Sequence, residues 1–252
     1  MGLTYSSSTL KNLKDMFNVK KETESDLVIA LAGNPNTGKS TVFNALTGLH
    51  QHTGNWPGKT VTNTQGKYFF KDNNYIIVDL PGTYSLLASS IEEIIARDFI
   101  CFANPNVTVV VLDATCLERN LNLLLQITEI TPNVIGCLNL MDEAKKKHLT
   151  INVDKLEGKL GIPVIPTTAR SNIGLDTLKE TIHQIAMGNL KLNPRKIIYR
   201  PEIDSMIKSI SSKLNTILCE KNINYEWLAL RLLDGDTSIL ESINKYLNIK
   251  LL

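Results

Sequence analysis

The chain has 252 residues, 43% hydrophobic and 21% charged, which excludes a disordered, collagen-like or low-complexity polypeptide and leaves one large domain or one plus a small second. Its 27 Lys and Arg against 25 Asp and Glu leave a formal charge of +2, too balanced for the basic footprint of a nucleic-acid binder, so a polyanionic partner must be small and held locally. Cys101, Cys116, Cys137 and Cys219 form no C-x-x-C pair and stand by no histidine cluster, which excludes a zinc site and reads as reduced, mostly buried thiols.

Residues 1–26 are polar, with Leu10, Leu13, Met16 and Phe17 at helical spacing, and read as an amphipathic arm docking on the body. Met1-Gly2-Leu3-Thr4-Tyr5-Ser6 matches the loose N-myristoylation pattern, which alone decides nothing. From Leu27 the pattern changes. Buried-strand runs at 27–32, 75–79, 107–113, 134–139 and 163–167 alternate with helical stretches at 39–46, 91–102, 117–130, 153–160 and 175–187. Such alternation predicts an α/β fold, a mostly parallel sheet with helices on both faces. Residues 60–70 predict an antiparallel edge strand, in a hairpin turning at 72–74. None of the apolar runs approaches the ~18 residues that span a bilayer, so the chain reads as soluble.

Gly188-Asn189 and Asn193-Pro194-Arg195 mark a boundary, beyond which the strand signals stop. Ile203, Ile207, Ile210, Leu214 and Ile217 place one apolar stripe on a helix over 201–219. A second helix over 225–233 should end at Gly235, and Ser238-Ile239-Leu240-Glu241 has the spacing of a capping box opening a third, with Ile243 and Leu247 inward. The reading is an arm at 1–26, a body at 27–190 and a small all-α unit at 191–252.

Between the first strand and first helix lies Gly33-Asn34-Pro35-Asn36-Thr37-Gly38-Lys39-Ser40, a full G-x-x-x-x-G-K-[ST] in the context that the motif requires, with Thr41 following. Glycines let the backbone curl so that N–H groups face a phosphate, the helix N-terminus adds positive potential, and Lys39 bridges the outer phosphates. The Ser40 hydroxyl is then a magnesium ligand. Asn139-Leu140-Met141-Asp142 ends a core strand, and an aspartate there can accept from guanine N1–H and N2–H₂, a pattern adenine lacks, which favours GTP over ATP. Asp79-Leu80-Pro81-Gly82 supplies a carboxylate toward the magnesium water shell and a glycine N–H toward the γ-phosphate. Residues 50–60 read as a mobile loop in which Thr60 closes on magnesium and γ-phosphate, with Trp56 as its anchor. After the last core strand, Thr168, Ala169 and Arg170 offer a backbone N–H to the guanine carbonyl. Lys145, Lys146, Lys147 and His148 read as a solvated face.

These five segments, in this order, resemble the G1 to G5 motifs of P-loop GTPases, a Ras-like fold. The 33–40 loop, Gly54-Asn55-Trp56-Pro57-Gly58-Lys59-Thr60-Val61, Asp79-Leu80-Pro81-Gly82-Thr83-Tyr84-Ser85-Leu86, Leu117-Glu118-Arg119-Asn120-Leu121 and the tail around Trp227 together resemble the FeoB family, ferrous iron transport protein B. The resemblance covers Leu27 to the end. It implies a GTPase domain with a helical spacer that binds GTP, GDP and Mg²⁺ at the cytoplasmic face of a bacterial membrane. It further implies coupling to iron uptake through a transporter membrane domain that these residues do not contain; self-association is left open and nucleic acid is not a partner.

One departure from Ras-like enzymes is chemical: the position after D-x-x-G, where those carry a water-orienting glutamine, is Thr83. The family implies that Asn36 holds a K⁺ ion beside the phosphates, completed by the backbone carbonyls of Gly54 and Trp56, so that the catalytic set is Lys39, Asn36, Thr60 and Gly82. Two rival readings stand beside this one. A ribosome-assembly GTPase would share the motifs but carry an appended basic RNA module, and a regulatory guanine-nucleotide sensor would hardly turn GTP over.

Overall fold

The computed structural model describes residues 16–48, 51–218 and 222–249. Leu10, Leu13, the first six residues, His50 and Cys219, which carried expectations above, lie outside them. Seven strands, β1 (Leu27–Gly33), β2 (Gln51–Asn55), β3 (Thr62–Phe70), β4 (Asn73–Asp79), β5 (Val107–Asp113), β6 (Val134–Asn139) and β7 (Val164–Pro166), form one sheet in the order β2-β3-β4-β1-β5-β6-β7. Pairing is parallel from β4 through β7, and antiparallel where β3 meets β4 and β2. Along β1 the side chains alternate between two buried faces: Val28 and Ala30 join one core cluster, Ile29 and Leu31 the other. A strand buried on both faces must be apolar throughout, which is why these runs are continuous in sequence.

The helices are α1 (Lys39–Thr47), α2 (Ile91–Asp98), α3 (Leu117–Ile130), α4 (Met141–Lys146), α5 (Val153–Leu160), α6 (Leu175–Ala186), and then α7 (Pro201–Ile217), α8 (Tyr225–Leu233) and α9 (Ser238–Leu247) in the tail. The Ser90 hydroxyl caps α2 by accepting from the Glu93 N–H at 3.2 Å. A π-helical turn, Phe99–Ala103, fully buried, continues α2 until Asn104 ends it in the left-handed region.

Four expectations need correction. Residues 51–55 are strand β2, not loop; all five side chains are exposed, so the strand is held by main-chain pairing to β3 and leaves no apolar alternation to read. The β3–β4 turn is tighter than expected, Lys71 and Asp72 both taking positive φ as in a type I′ hairpin. Ser238 does not cap α9: it lies inside the helix, and its hydroxyl serves Arg97 and Asp236 instead. The ends of the α7 stripe, Ile203 and Ile217, are exposed while Ile207 and Leu214 are buried. Cys101 and Cys137 are buried, but Cys116 is exposed.

The helical tail is fastened to the body by one buried charge network. Arg97 of α2, with no exposed surface, donates to Asp98 at 2.7 and 2.9 Å, to Asp236 at 3.1 Å, and to the hydroxyls of Ser238 at 2.7 Å and Ser242 at 2.9 Å. Ser242 in turn donates to the second Asp98 oxygen at 2.8 Å, so both carboxylate oxygens have partners. Around it Tyr246 stacks on Phe17 and Phe102 with ring centroids 4.6 and 5.2 Å apart, and Trp56 packs edge-on against Phe99 at 5.6 Å. The docked part of the arm is thus Phe17 and Val19, both buried.

Removing one partner of such a buried set strands the others without water. Arg97→Ala should therefore lower the free energy of unfolding by about 3–5 kcal/mol in a urea titration, with the Asp98 charge left buried without its cation. A loss under about 1 kcal/mol, the range of an exposed pair, would show that the network does not hold the tail.

Candidate nucleotide site

The P-loop leaves β1 at Gly33 and enters α1 at Lys39. Gly33 cannot carry a side chain here, since a Cβ would sit 2.9 Å from the Val111 carbonyl of β5. Asn36 has φ 68° and Gly38 φ 80°, a left-handed turn that aims successive N–H groups into one concavity. Gly38 is the N-cap of α1 and offers no side chain, so the free N–H groups of the first turn stay open to an anion. Ser40 and Thr41 are exposed in that turn, their hydroxyls without a hydrogen-bonding partner among the described residues, and the Asn36 side chain is exposed too. Thr37 is buried and donates to the Asn34 carbonyl at 3.0 Å.

Lys39 lies across this mouth. Its ammonium pairs with the Asp79 carboxylate at the end of β4 and donates to the Leu80 carbonyl at 2.7 Å. Burial pushes the Asp79 carboxyl above the usual carboxylate range, and the neighbouring Lys39 opposes that shift. The D-x-x-G segment is tied to the P-loop directly: the Thr83 N–H donates to the Gly33 carbonyl at 3.3 Å, and Gly82 packs against Pro35, whose nitrogen would lie 3.5 Å from an added Cβ. The first carboxylate, the P-loop lysine and the glycine are therefore together.

Asn139, 1% exposed at the end of β6, joins three loops. Its amide nitrogen donates to the Thr37 carbonyl of the P-loop at 3.1 Å, and its amide oxygen accepts from the Ala169 N–H at 3.1 Å. The Thr167 hydroxyl approaches the same oxygen at 3.4 Å, and the Met141 N–H donates to the Thr167 carbonyl at 3.3 Å. Asn139 packs so closely beneath the P-loop that a Cβ on Gly38 would be 2.4 Å from its nitrogen. Asp142 and Met141 lie half-buried in the first turn of α4, the Asp142 carboxylate without a partner among the described residues. The Ala169 N–H is occupied by Asn139 and Thr168 is paired with Ile173, while the Arg170 N–H has no partner among the described residues.

The segment with Gly54, Trp56 and Thr60 is held by contacts of its own. Gly54 is paired with Asn63 in the β2–β3 ladder, the Trp56 carbonyl accepts from Lys59 at 2.9 Å, and the indole is buried against Phe17 and Phe99. Thr60 is exposed, and no hydrogen bond joins residues 51–61 to the P-loop among the described residues.

Asn34 and Arg119 both stand in segments that the sequence singles out, but the contact between them escaped the sequence reading. Asn34 is buried, its nitrogen 3.4 Å from the Arg119 carbonyl and its oxygen unpaired. Arg119 lays its guanidinium 4.3 Å from the centre of the Tyr84 ring, two residues beyond Gly82. Arg119 belongs to a segment that sequence singles out, but its link to the P-loop runs through a backbone carbonyl, which no residue type announces.

Comparison with known proteins agrees with this geometry. The family model for ferrous iron transport protein B matches residues 27–182, and that for the FeoB cytosolic helical domain matches residues 199–251. The Fe(2+) transporter FeoB of Methanocaldococcus jannaschii is 45% identical over 215 residues, 85% of this chain and 32% of that protein. Among solved structures, the cytosolic domain of the T. maritima FeoB iron transporter in a GDP form has a TM-score of 0.78 at 37% identity, covering 90% of this chain and 88% of the other. Its GMPPNP form has a TM-score of 0.75 at 37% identity with the same coverages. The chain spans between 25% and 32% of the length of the curated relatives it matches.

Asn139→Ala would leave the buried Thr37 carbonyl and Ala169 N–H unpaired. At about 1–3 kcal/mol for each stranded group, GDP affinity measured by equilibrium titration should fall at least about tenfold, with a matching loss in thermal stability. Unchanged affinity and stability would mean that the three loops keep their places without this amide.

Proposed function

The chain belongs to the FeoB family, and on that premise we propose that it binds GTP and GDP with Mg²⁺, hydrolyses GTP to GDP and phosphate with K⁺ stimulation, and thereby regulates Fe²⁺ passage through a transporter membrane domain. The division into an arm at 1–26, a GTPase domain at 27–190 and a helical spacer at 191–252 belongs to the same proposal. So does a place at the cytoplasmic face of the membrane; among the described residues no helix is long and apolar enough to cross one. The observation that carries the reading is the convergence of Lys39, Asp79 and the open N-terminus of α1 at the P-loop, with the Asn139 tie placing Asp142 alongside. The structural relatives named for GDP and GMPPNP forms support the choice of guanine.

The β- and γ-phosphates of GTP supply the anion that draws Lys39 from Asp79 and the Leu80 carbonyl. The α1 N–H groups and the backbone of residues 33–39 hold the phosphates, and the Gly82 N–H meets the γ-phosphate. Asp142 accepts from the guanine N1–H and N2–H₂, and the Arg170 N–H donates to the guanine carbonyl. The donor set fits a magnesium ion: the unpartnered Ser40 hydroxyl, Thr60 and, through water, the Asp79 carboxylate that Lys39 vacates. The exposed Asn36 amide, without a partner among the described residues, suits a K⁺ ion, with the Gly54 and Trp56 carbonyls as further oxygen ligands. When bound, these cations neutralise charge developing on the phosphates.

Thr83 is buried and its short hydroxyl lacks the reach of a glutamine amide, so the residue after Gly82 does not orient the attacking water. For this segment to close on the phosphates, Gly54 would part from Asn63 of β3 and Trp56 from Phe17 and Phe99. Unzipping β2 costs little side-chain burial, because all of its residues are exposed; Trp56 is the costly anchor, and a Trp side chain buries a large apolar area.

Steady-state phosphate release tests the proposal. Turnover should rise in K⁺ over Na⁺, and Asn36→Ala should lose most of that rise, about 10²–10³-fold for an electrostatic group aimed at developing charge, while GDP binding holds. Equal turnover in K⁺, in Na⁺ and without either would reject the role of Asn36, and absence of turnover would favour a nucleotide sensor.

A further inference from the structure

Between α6 and α7 the chain runs without regular secondary structure over residues 189–200, and this stretch is both apolar and basic at its surface. Ile198 is 91% exposed, Ile197 48%, and Leu190 40%. Lys191, Arg195, Lys196 and Arg200 are exposed in the same stretch, and no Asp or Glu occurs between Met187 and Pro201. Monomeric proteins rarely leave contiguous apolar groups of this kind in water without use.

The stretch is fixed in place. The Arg195 N–H donates to the Leu160 carbonyl at 2.9 Å, and its backbone crosses Gly161 so closely that a Cβ there would sit 2.3 Å from the Asn193 carbonyl. At the far end the Tyr199 hydroxyl donates to Glu129 at 2.5 Å. A shallow open depression brings Lys159 and the partly exposed Leu125 beside Arg195, Lys196, Ile197 and Ile198. The carboxylates that face the stretch across a neighbouring cavity are Glu129, taken by Tyr199, Glu226, paired with Lys196 at 3.2 Å, and Asp204, paired with Lys208 at 2.7 Å. Lys159, Lys191, Arg195 and Arg200 have no ion-pair partner among the described residues.

We propose that this stretch is a contact surface for an anionic lipid bilayer, with Ile197 and Ile198 seated among the headgroups and the surrounding Lys and Arg facing lipid phosphates. The proposal rests on the reading that the chain works beside a transporter's membrane domain, a position that keeps a bilayer surface within reach. Charge decides the occupant. A second copy would bring the same cations against themselves, whereas an anionic surface strengthens attachment about fivefold for each Lys or Arg held near it. A rim of cations around exposed aliphatic side chains is also the pattern by which peripheral surfaces settle at headgroup depth.

The test is co-sedimentation of the GDP-bound chain with vesicles of phosphatidylcholine alone or with about 30 mol% phosphatidylglycerol, at low salt and at about 0.5 M. The chain should pellet with the anionic vesicles at low salt only. Arg195→Gln, Lys196→Gln and Arg200→Gln combined should weaken that attachment about a hundredfold, and Ile197→Ser with Ile198→Ser should weaken it at unchanged charge. GDP titration of each variant reports folding, and both should bind GDP as the unmodified chain does. Equal pelleting with neutral vesicles, or anionic binding that neither variant weakens, would overturn the proposal. So would a lipid-free dimer, seen by sedimentation velocity, that the isoleucine variant abolishes. Vesicle binding that fails while GDP binding holds overturns this surface alone and leaves the nucleotide reading standing.

Discussion

The nucleotide site depends on the amide of one buried side chain. Asn139 donates to the P-loop and accepts from the loop after β7, and because it sits at the end of β6 both loops take their position from the sheet itself. A carboxamide suits this place because it carries a donor and an acceptor on one planar group; an aspartate would set negative charge against the Thr37 carbonyl, and a leucine would strand both partners. With the amide in place, the strand ends of β1, β4 and β6 and the loop after β7 bring the P-loop, Asp79, Asp142 and Arg170 to the carboxyl ends of the parallel strands, where ligands bind in parallel α/β folds.

Around that edge, charge is kept in balance by substitution. Lys39 would otherwise place an ammonium against the open N-terminus of a helix, and it is held by Asp79 and the Leu80 carbonyl. In the function we propose, a triphosphate would compete for the same ammonium with more negative charge and would leave Asp79 for a metal's water shell, so that one exchange of partners would prepare two groups. The tail is linked to the same region by packing. Trp56 touches Phe17 and Phe99, Phe99 lies in the π turn that extends α2, and α2 carries Arg97, which holds Asp236, Ser238 and Ser242 of the tail. Movement of residues 54–60 toward a nucleotide therefore disturbs contacts that reach α9.

Much of this was legible in the sequence, for a physical reason. Strands buried on both faces cannot tolerate polar side chains, so β1, β5 and β6 stood out as continuous apolar runs, and the phosphate loop needs its glycines and lysine at fixed spacing. What escaped was whatever backbone atoms do. Strand β2 is held by an edge ladder with every side chain in water, and Asn34 reaches Arg119 through a carbonyl. Ser238 matched a capping box, but Arg97, far away in sequence, took its hydroxyl. Asn139 was read as part of a base-reading motif; in the structure its amide ties the P-loop to the loop after β7, and the Asp142 carboxylate beside it has no partner among the described residues.

The claim that these loops form a guanine site is tested most directly by competition of GDP and ADP for the unmodified chain in the presence of Mg²⁺. Both share the diphosphate and ribose, so the P-loop contributes equally and only the base is compared. Asp142 left facing a base without the paired N–H donors should cost ADP about 10³-fold or more in affinity relative to GDP. Equal affinities, or a preference for ADP, would contradict the account.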